Sequence, residues 1–141
     1  MLSVIDPNQQ KIQIAFKTDQ PRPIFGETSI AATCTLSNRS ETLSVDTVFR
    51  RSDLMSFSSA ALQLHEDMTP GAIATLWSEQ GNFAIKLSLA NRGAATLSCI
   101  LVKSDSLTPA GLFGELQIDQ TYLPQVSEQA KSLSENWSLP D

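Results

Sequence analysis

The chain has 141 residues, 41% of them hydrophobic and 18% charged, with a formal net charge of −5 and a pI near 4.7. That length fits one domain spanning 1–141, and the apolar fraction excludes intrinsic disorder at so modest a charge. No apolar run approaches the ~20 residues that span a bilayer. The first residues also lack the basic and apolar segments of a secretory signal, so the sequence predicts a cytoplasmic protein with no membrane partner. The acidic balance argues against nucleic-acid binding, which needs clustered Lys and Arg, and suits a basic protein partner.

Residues 11–17 alternate apolar and polar, with Ile12, Ile14 and Phe16 on one face of a strand. Residues 19–27 carry two prolines and a glycine and read as a loop. Alternation returns at 28–36, with Ile30, Ala32, Cys34 and Leu36 on one side, and Ser37-Asn38-Arg39-Ser40 reads as a turn. Residues 43–49 place Leu43 and Val45 inward, with Phe49 as a further candidate. Three strands at this spacing predict an antiparallel meander.

The period then changes. From Ser52 to Glu66, Leu54, Met55, Phe57, Ala61, Leu62 and Leu64 fit a helical stripe. Ser52 is a candidate N-cap and Asp53 suits the positive helix end. Thr69-Pro70-Gly71 closes the segment.

Four more strands are predicted. Residues 72–78 contain Ile73, Leu76 and Trp77, and residues 82–90 place Phe83, Ile85, Leu87 and Leu89 opposite Lys86 and Ser88. The link Glu79-Gln80-Gly81-Asn82 is a hairpin turn in which Gly supplies positive φ. Residues 94–103 put Ala95, Leu97, Cys99 and Leu101 on one face after the turn Asn91-Arg92-Gly93. Residues 104–111 read as a polar loop, and 112–118 put Leu112, Leu116 and Ile118 opposite Glu115 and Gln117. Finally Leu123, Val126, Ala130, Leu133 and Trp137 form one helical stripe, Thr121 is a candidate cap, and 138–141 is a fraying tail. The fold class is α+β. A mostly antiparallel, curved sheet of about seven strands, in the order βββ-α-ββββ-α, carries two amphipathic helices on one face. The Ser- and Thr-rich strand faces stay wet.

Little in the chain carries chemistry. There is no phosphate-cradling glycine loop, no Cys-x-x-Cys and no nucleophile elbow. Cys34 and Cys99 read as buried thiols, and with the single His65 they do not make a zinc site. His65 reads as a helical histidine favoured by the negative helix end rather than as a general base. The carboxylates Asp46, Asp53, Asp105, Glu115 and Asp119 are dispersed, and the adjacent Glu66 and Asp67 point about 100° apart on a helix. Arg50-Arg51 reads as solvated charge, with partner contact as the alternative, and Trp77 and Trp137 read as core aromatics. The expectation is a protein that is not an enzyme, with no catalytic residues, no metal and no cofactor.

One segment carries a resemblance. Asp119-Gln120-Thr121-Tyr122-Leu123-Pro124, where a strand runs into a Leu-containing helix, resembles the hallmark of the WapI family of immunity proteins. The helix with Leu54 and Phe57, the strand with Leu76, the 83–89 strand, the Asn91-Arg92-Gly93 turn and the 94–103 strand resemble the same family. The likeness covers roughly 28–135. By its chemistry the hexapeptide is mainly structural, with partner contact as the alternative: Asp119 and Thr121 can accept backbone amides, and Tyr122 and Leu123 start the buried stripe.

The resemblance implies a non-catalytic immunity protein. It would bind the C-terminal toxin domain, often a nuclease, of a contact-dependent, wall-associated toxin and block a basic surface. Candidate contacts are Glu66, Asp67, Glu79 and Asp105, with solvated charge as the plainer reading. The alternatives are an adaptor module with another partner, or a small-ligand binder with a deep pocket. Either a monomer or a dimer is compatible, since an edge strand can pair two copies.

Overall fold

The computed structural model describes residues 2–5, 11–16, 22–24, 27–37, 41–67, 72–89, 94–103 and 110–135. In chain order these form β1 (Leu2–Ile5), β2 (Lys11–Phe16), β3 (Arg22–Ile24), β4 (Glu27–Ser37), β5 (Thr42–Arg50) and α1 (Arg51–Asp67). Then come β6 (Ile73–Trp77), β7 (Phe83–Leu89), β8 (Ala94–Lys103), β9 (Ala110–Asp119), a single 3-10 turn (Gln120–Tyr122) and α2 (Leu123–Glu135). The class is α+β, the pairing is antiparallel throughout, and the expected order βββ-α-ββββ-α is present. Two short strands, β1 and β3, extend it. β3 lies within 19–27, where the sequence predicts only a loop.

The strands divide between two sheets. In the first, β1 pairs β2, β2 and β3 share one edge of β4, and β5 takes the other edge. The second is the meander β6-β7-β8-β9. Alternation decides which side of each strand is buried. Ile30, Ala32, Cys34 and Leu36 of β4 face Ile85, Leu87, Leu97, Cys99 and Leu116 of the second sheet within one core. The sheets approach closely where β4 meets β9. A Cβ built on Gly114 would lie 2.8 Å from Leu36 Cδ1, so only glycine fits there without displacing Leu36.

The β6–β7 turn ties the two sheets together. Gly81 has φ +72°, a conformation that costs glycine no steric penalty. Around it Glu79 N donates to Val48 O at 2.8 Å and Val102 N donates to Asn82 O at 2.8 Å. Asn82 Oδ1 accepts from the buried Thr47 at 2.6 Å and from Ser78 Oγ at 2.8 Å. Polar groups at a buried corner are costly unless paired, and here they pair.

α1 packs against β4 and β5 of one sheet and β6 and β7 of the other, and α2 packs on α1 and β1. The helices touch through small residues: Ser58 Oγ donates to Ser127 O at 2.8 Å and Ser127 Oγ donates to Ser58 O at 2.7 Å, both buried. Ser3 N donates to Gln129 Oε1 at 3.0 Å, which docks β1 on α2. α1 begins at Arg51, so Ser52 lies inside the first turn rather than at the cap. Its buried stripe is Leu54, Phe57, Ser58, Ala61 and Leu64, whereas Met55 and Leu62 face outward. Leu123, Val126, Ala130 and Leu133 bury the stripe of α2 as expected. Trp137, the 138–141 tail and the turns at 38–40, 69–71 and 91–93 lie outside the described residues. Among the described residues no helix is long and apolar enough to cross a membrane.

Candidate protein-binding face

The four acidic candidates do not form one surface. Glu66 and Asp67 are exposed at the end of α1, where Asp67 Oδ2 accepts from Gln63 Nε2 at 3.1 Å. Glu79 lies beyond the far end of β6, roughly 17 Å of strand away at 3.4 Å per residue. Its Oε1 accepts from Ser29 Oγ at 3.3 Å and pairs with Arg50 Nε at 3.2 Å, so it braces the turn against the first sheet. Asp105 lies outside the described residues.

The two arginines are not simply solvated. Arg50 holds Glu79, and Arg51 Nε donates to Ser134 O at 2.8 Å, satisfying a carbonyl in the last turn of α2. Both contacts span at least 29 positions of sequence, which no local pattern records.

In the hexapeptide, Asp119 Oδ1 accepts the Thr121 amide at 3.0 Å, an Asx turn that starts the 3-10 turn into α2. Leu123 is fully buried and Pro124 lies in the first helical turn, where no amide is needed. Tyr122 departs from expectation: it is 53% exposed, because the 3-10 turn points it outward before the buried stripe begins. Thr121 is exposed, and the side chain of Gln120 lies outside the described residues.

The thiols are buried in the core. Burial pushes Cys99 up to about 12. Burial likewise pushes Cys34 up, with Cys99 and Asp46 adding to the effect. Neither is a nucleophile near neutral pH. His65 is half-buried in the last turn of α1. Among the described residues no three His, Cys, Asp or Glu side chains gather in a way that could hold a metal ion.

What the structure brings together lies on the outer faces of the sheets. On β4 and β5 that face is polar: Thr33 Oγ1 donates to Asp46 Oδ1 at 3.0 Å, and Thr35 and Ser44 share a hydrogen bond of 2.8 Å. This is the wet Ser/Thr face the sequence predicts. The outer face of β6–β9 differs. Register aligns Trp77, Ala84, Ile100 and Phe113 in one row across all four strands. Trp77 is 57% exposed, Ile100 43% and Phe113 61%. The next row is Thr75, Lys86, Ser98 and Glu115, and the third is Ile73, Ser88, Thr96 and Gln117, with Ile73 also exposed.

A shallow groove of about 150 Å³ crosses this face between Trp77 and Phe113 with Ala84 on its floor. Asp67 borders Ile73 at the β6 edge. Trp77 therefore leaves the core position expected for it. The inward positions of β6 are Ala74 and Leu76, and the small Ala74 conceals the phase of the strand. Ile100 and Phe113 fall out of phase with the buried residues of their own strands, and that was the legible signal for the face.

The chain matches no protein-family model, no curated protein and no solved structure.

Proposed function

We propose that the chain is a non-catalytic protein-binding protein that works as an immunity protein, neutralising a toxin domain in the cytoplasm by covering its working surface. The observation that carries this reading is the exposed row Trp77, Ile100 and Phe113 on the β6–β9 sheet. Aromatic side chains on a rigid sheet bury large apolar area at little entropic cost, and such residues dominate binding energy at protein interfaces. The net charge of −5 favours a basic partner; beside the row Glu115 and Lys86 offset each other, and Asp67 borders Ile73 at the far end of β6. The resemblance of Asp119–Pro124 to the WapI immunity proteins supplies the toxin as the partner class. Glu66 and Asp67 remain candidate peripheral contacts, whereas Glu79 serves the fold.

Capture from a lysate of its own species tests the reading, with tagged wild type compared with the Trp77→Ala/Phe113→Ala variant. The expected result is recovery of a basic toxin domain on wild type, weakened by salt. Truncation of two aromatic anchors at about 2 kcal/mol each should weaken capture about a thousand-fold. Recovery of a partner without toxic activity would favour the adaptor alternative. Equal recovery of the toxin by the variant would remove this face from the account.

A further inference from the structure

We propose that, when no toxin is bound, the chain closes this face on a second copy of itself, sheet against sheet, about a two-fold axis running along β8. The inference rests on the reading of the outer β6–β9 face as protein-binding and names a second occupant for it. A two-fold along β8 exchanges the positions of β7 and β9, which flank it. Each residue of β7 then meets its row-mate on β9 of the other copy.

The rows are complementary under that operation. In the first row, Ala84 on β7 meets Phe113 of the second copy, and Ile100 on the axis meets Ile100. Ala84 floors the groove of about 150 Å³, with Trp77 as its outer wall, and Phe113 projects from the sheet at 61% exposure. The groove is open and shallow, so it seats one face of the ring against Ala84 and Trp77 rather than enclosing it. In the second row, Lys86 meets Glu115 of the second copy, twice by symmetry. Both side chains are exposed, and among the described residues neither has an ion-pair partner within the chain. The third row offers Ser88 to Gln117. Strands related by this axis stay aligned up to their twist, the ordinary aligned packing of two sheets.

The size of the contact sets its strength. β6 passes beyond the β9 edge under this axis, so three rows of three residues from β7, β8 and β9 face each other, nine a side. That is less than half the roughly 20–30 residues of a standard interface, so the dimer is weak, with a dissociation constant of about micromolar order or above. A toxin that covers the same row displaces the second copy.

Sedimentation velocity from about 1 µM to about 500 µM brackets the expected dissociation constant. Wild type should pass from monomer to dimer across that range. Phe113→Glu should remain monomeric, with circular dichroism confirming that this exposed substitution leaves the fold intact. Lys86→Glu and Glu115→Lys should each weaken association about ten-fold, since each sets like charges face to face. The double charge swap should restore it.

A wild type that stays monomeric, a dimer that survives Phe113→Glu, or a double swap that fails to restore association would each overturn the proposal. A monomeric wild type combined with loss of toxin capture by Trp77→Ala/Phe113→Ala would overturn the self-association alone and leave the binding-face reading standing. A dimer broken by Phe113→Glu, with the double charge swap restoring what either single swap loses, combined with undiminished toxin capture by Trp77→Ala/Phe113→Ala, would support self-association and move the toxin site elsewhere.

Discussion

Replacing Gly114 by alanine tests how the two sheets meet. The added Cβ would stand 2.8 Å from Leu36 Cδ1 and 3.2 Å from Leu36 Cδ2, and Leu36 is itself fully buried. Alanine is favoured over glycine in a strand by about 0.5–1 kcal/mol, but overpacking a filled core costs about 1–3 kcal/mol. The clash wins, and Gly114→Ala should destabilise by about 1–2 kcal/mol. Leu36→Ala alone should cost about 2–5 kcal/mol through the cavity it leaves. In that background the new Cβ meets no neighbour at Leu36, so Gly114→Ala should become stabilising by about 0.5–1 kcal/mol. The coupling between the sites is then about 2 kcal/mol, within the range for contacting residues. Urea unfolding measures it: at about 2 kcal/mol per molar urea, Gly114→Ala lowers the midpoint by about 0.5–1 M. If Leu36→Ala leaves too little folded protein, Leu36→Val gives the same sign with a smaller coupling. A Gly114→Ala variant as stable as wild type, or one with the same cost in both backgrounds, would refute the packing argument.

Gly81→Ala should cost about 1–2 kcal/mol, because its φ of +72° sets a Cβ against the backbone although the space is open; Gly81→Asn should cost less in the same urea assay. Ser58→Ala and Ser127→Ala should each cost about 1 kcal/mol by removing one of the two reciprocal bonds between the helices. The thiols make stability fall at alkaline pH. Unfolded cysteines ionise near about 8.5, whereas burial holds Cys99 protonated to about 12 and Cys34 is also pushed up. The stabilisation is complete below about 8.5 and is lost as pH rises toward the folded values, at about 1.4 kcal/mol per pH unit for each thiol. Unfolding midpoints measured between about pH 8 and about pH 10 should fall, and Cys99→Ala should flatten the slope.

Most of the inner surface was legible because alternation records it directly. The buried positions of β4, β7, β8 and β9 follow from Ile30 to Leu36, Phe83 to Leu89, Ala95 to Leu101 and Leu116 with Ile118. The turn at Gly81 was legible because only glycine takes its φ without penalty. β1 and β3, at four and three residues, are too short to establish a period. The division into two sheets was also hidden. Alternation shows that Cys34 and Cys99 point inward but not that they point from different sheets. The exposed apolar face was half legible. Ile100 and Phe113 break the phase of their strands, whereas Trp77 was hidden by Ala74. The bracing roles of Glu79 and Arg51 depend on partners 50 and 83 positions away, Ser29 and Ser134.

Stoichiometry tests the central claim most directly. The toxin domain recovered by capture is titrated with wild type and with Trp77→Ala/Phe113→Ala while its activity is followed. Occlusion predicts that wild type abolishes activity at one chain per toxin, that activity returns on dilution, and that the variant protects only at far higher concentration. Neutralisation at well below one chain per toxin, or equal protection by the variant, would contradict it.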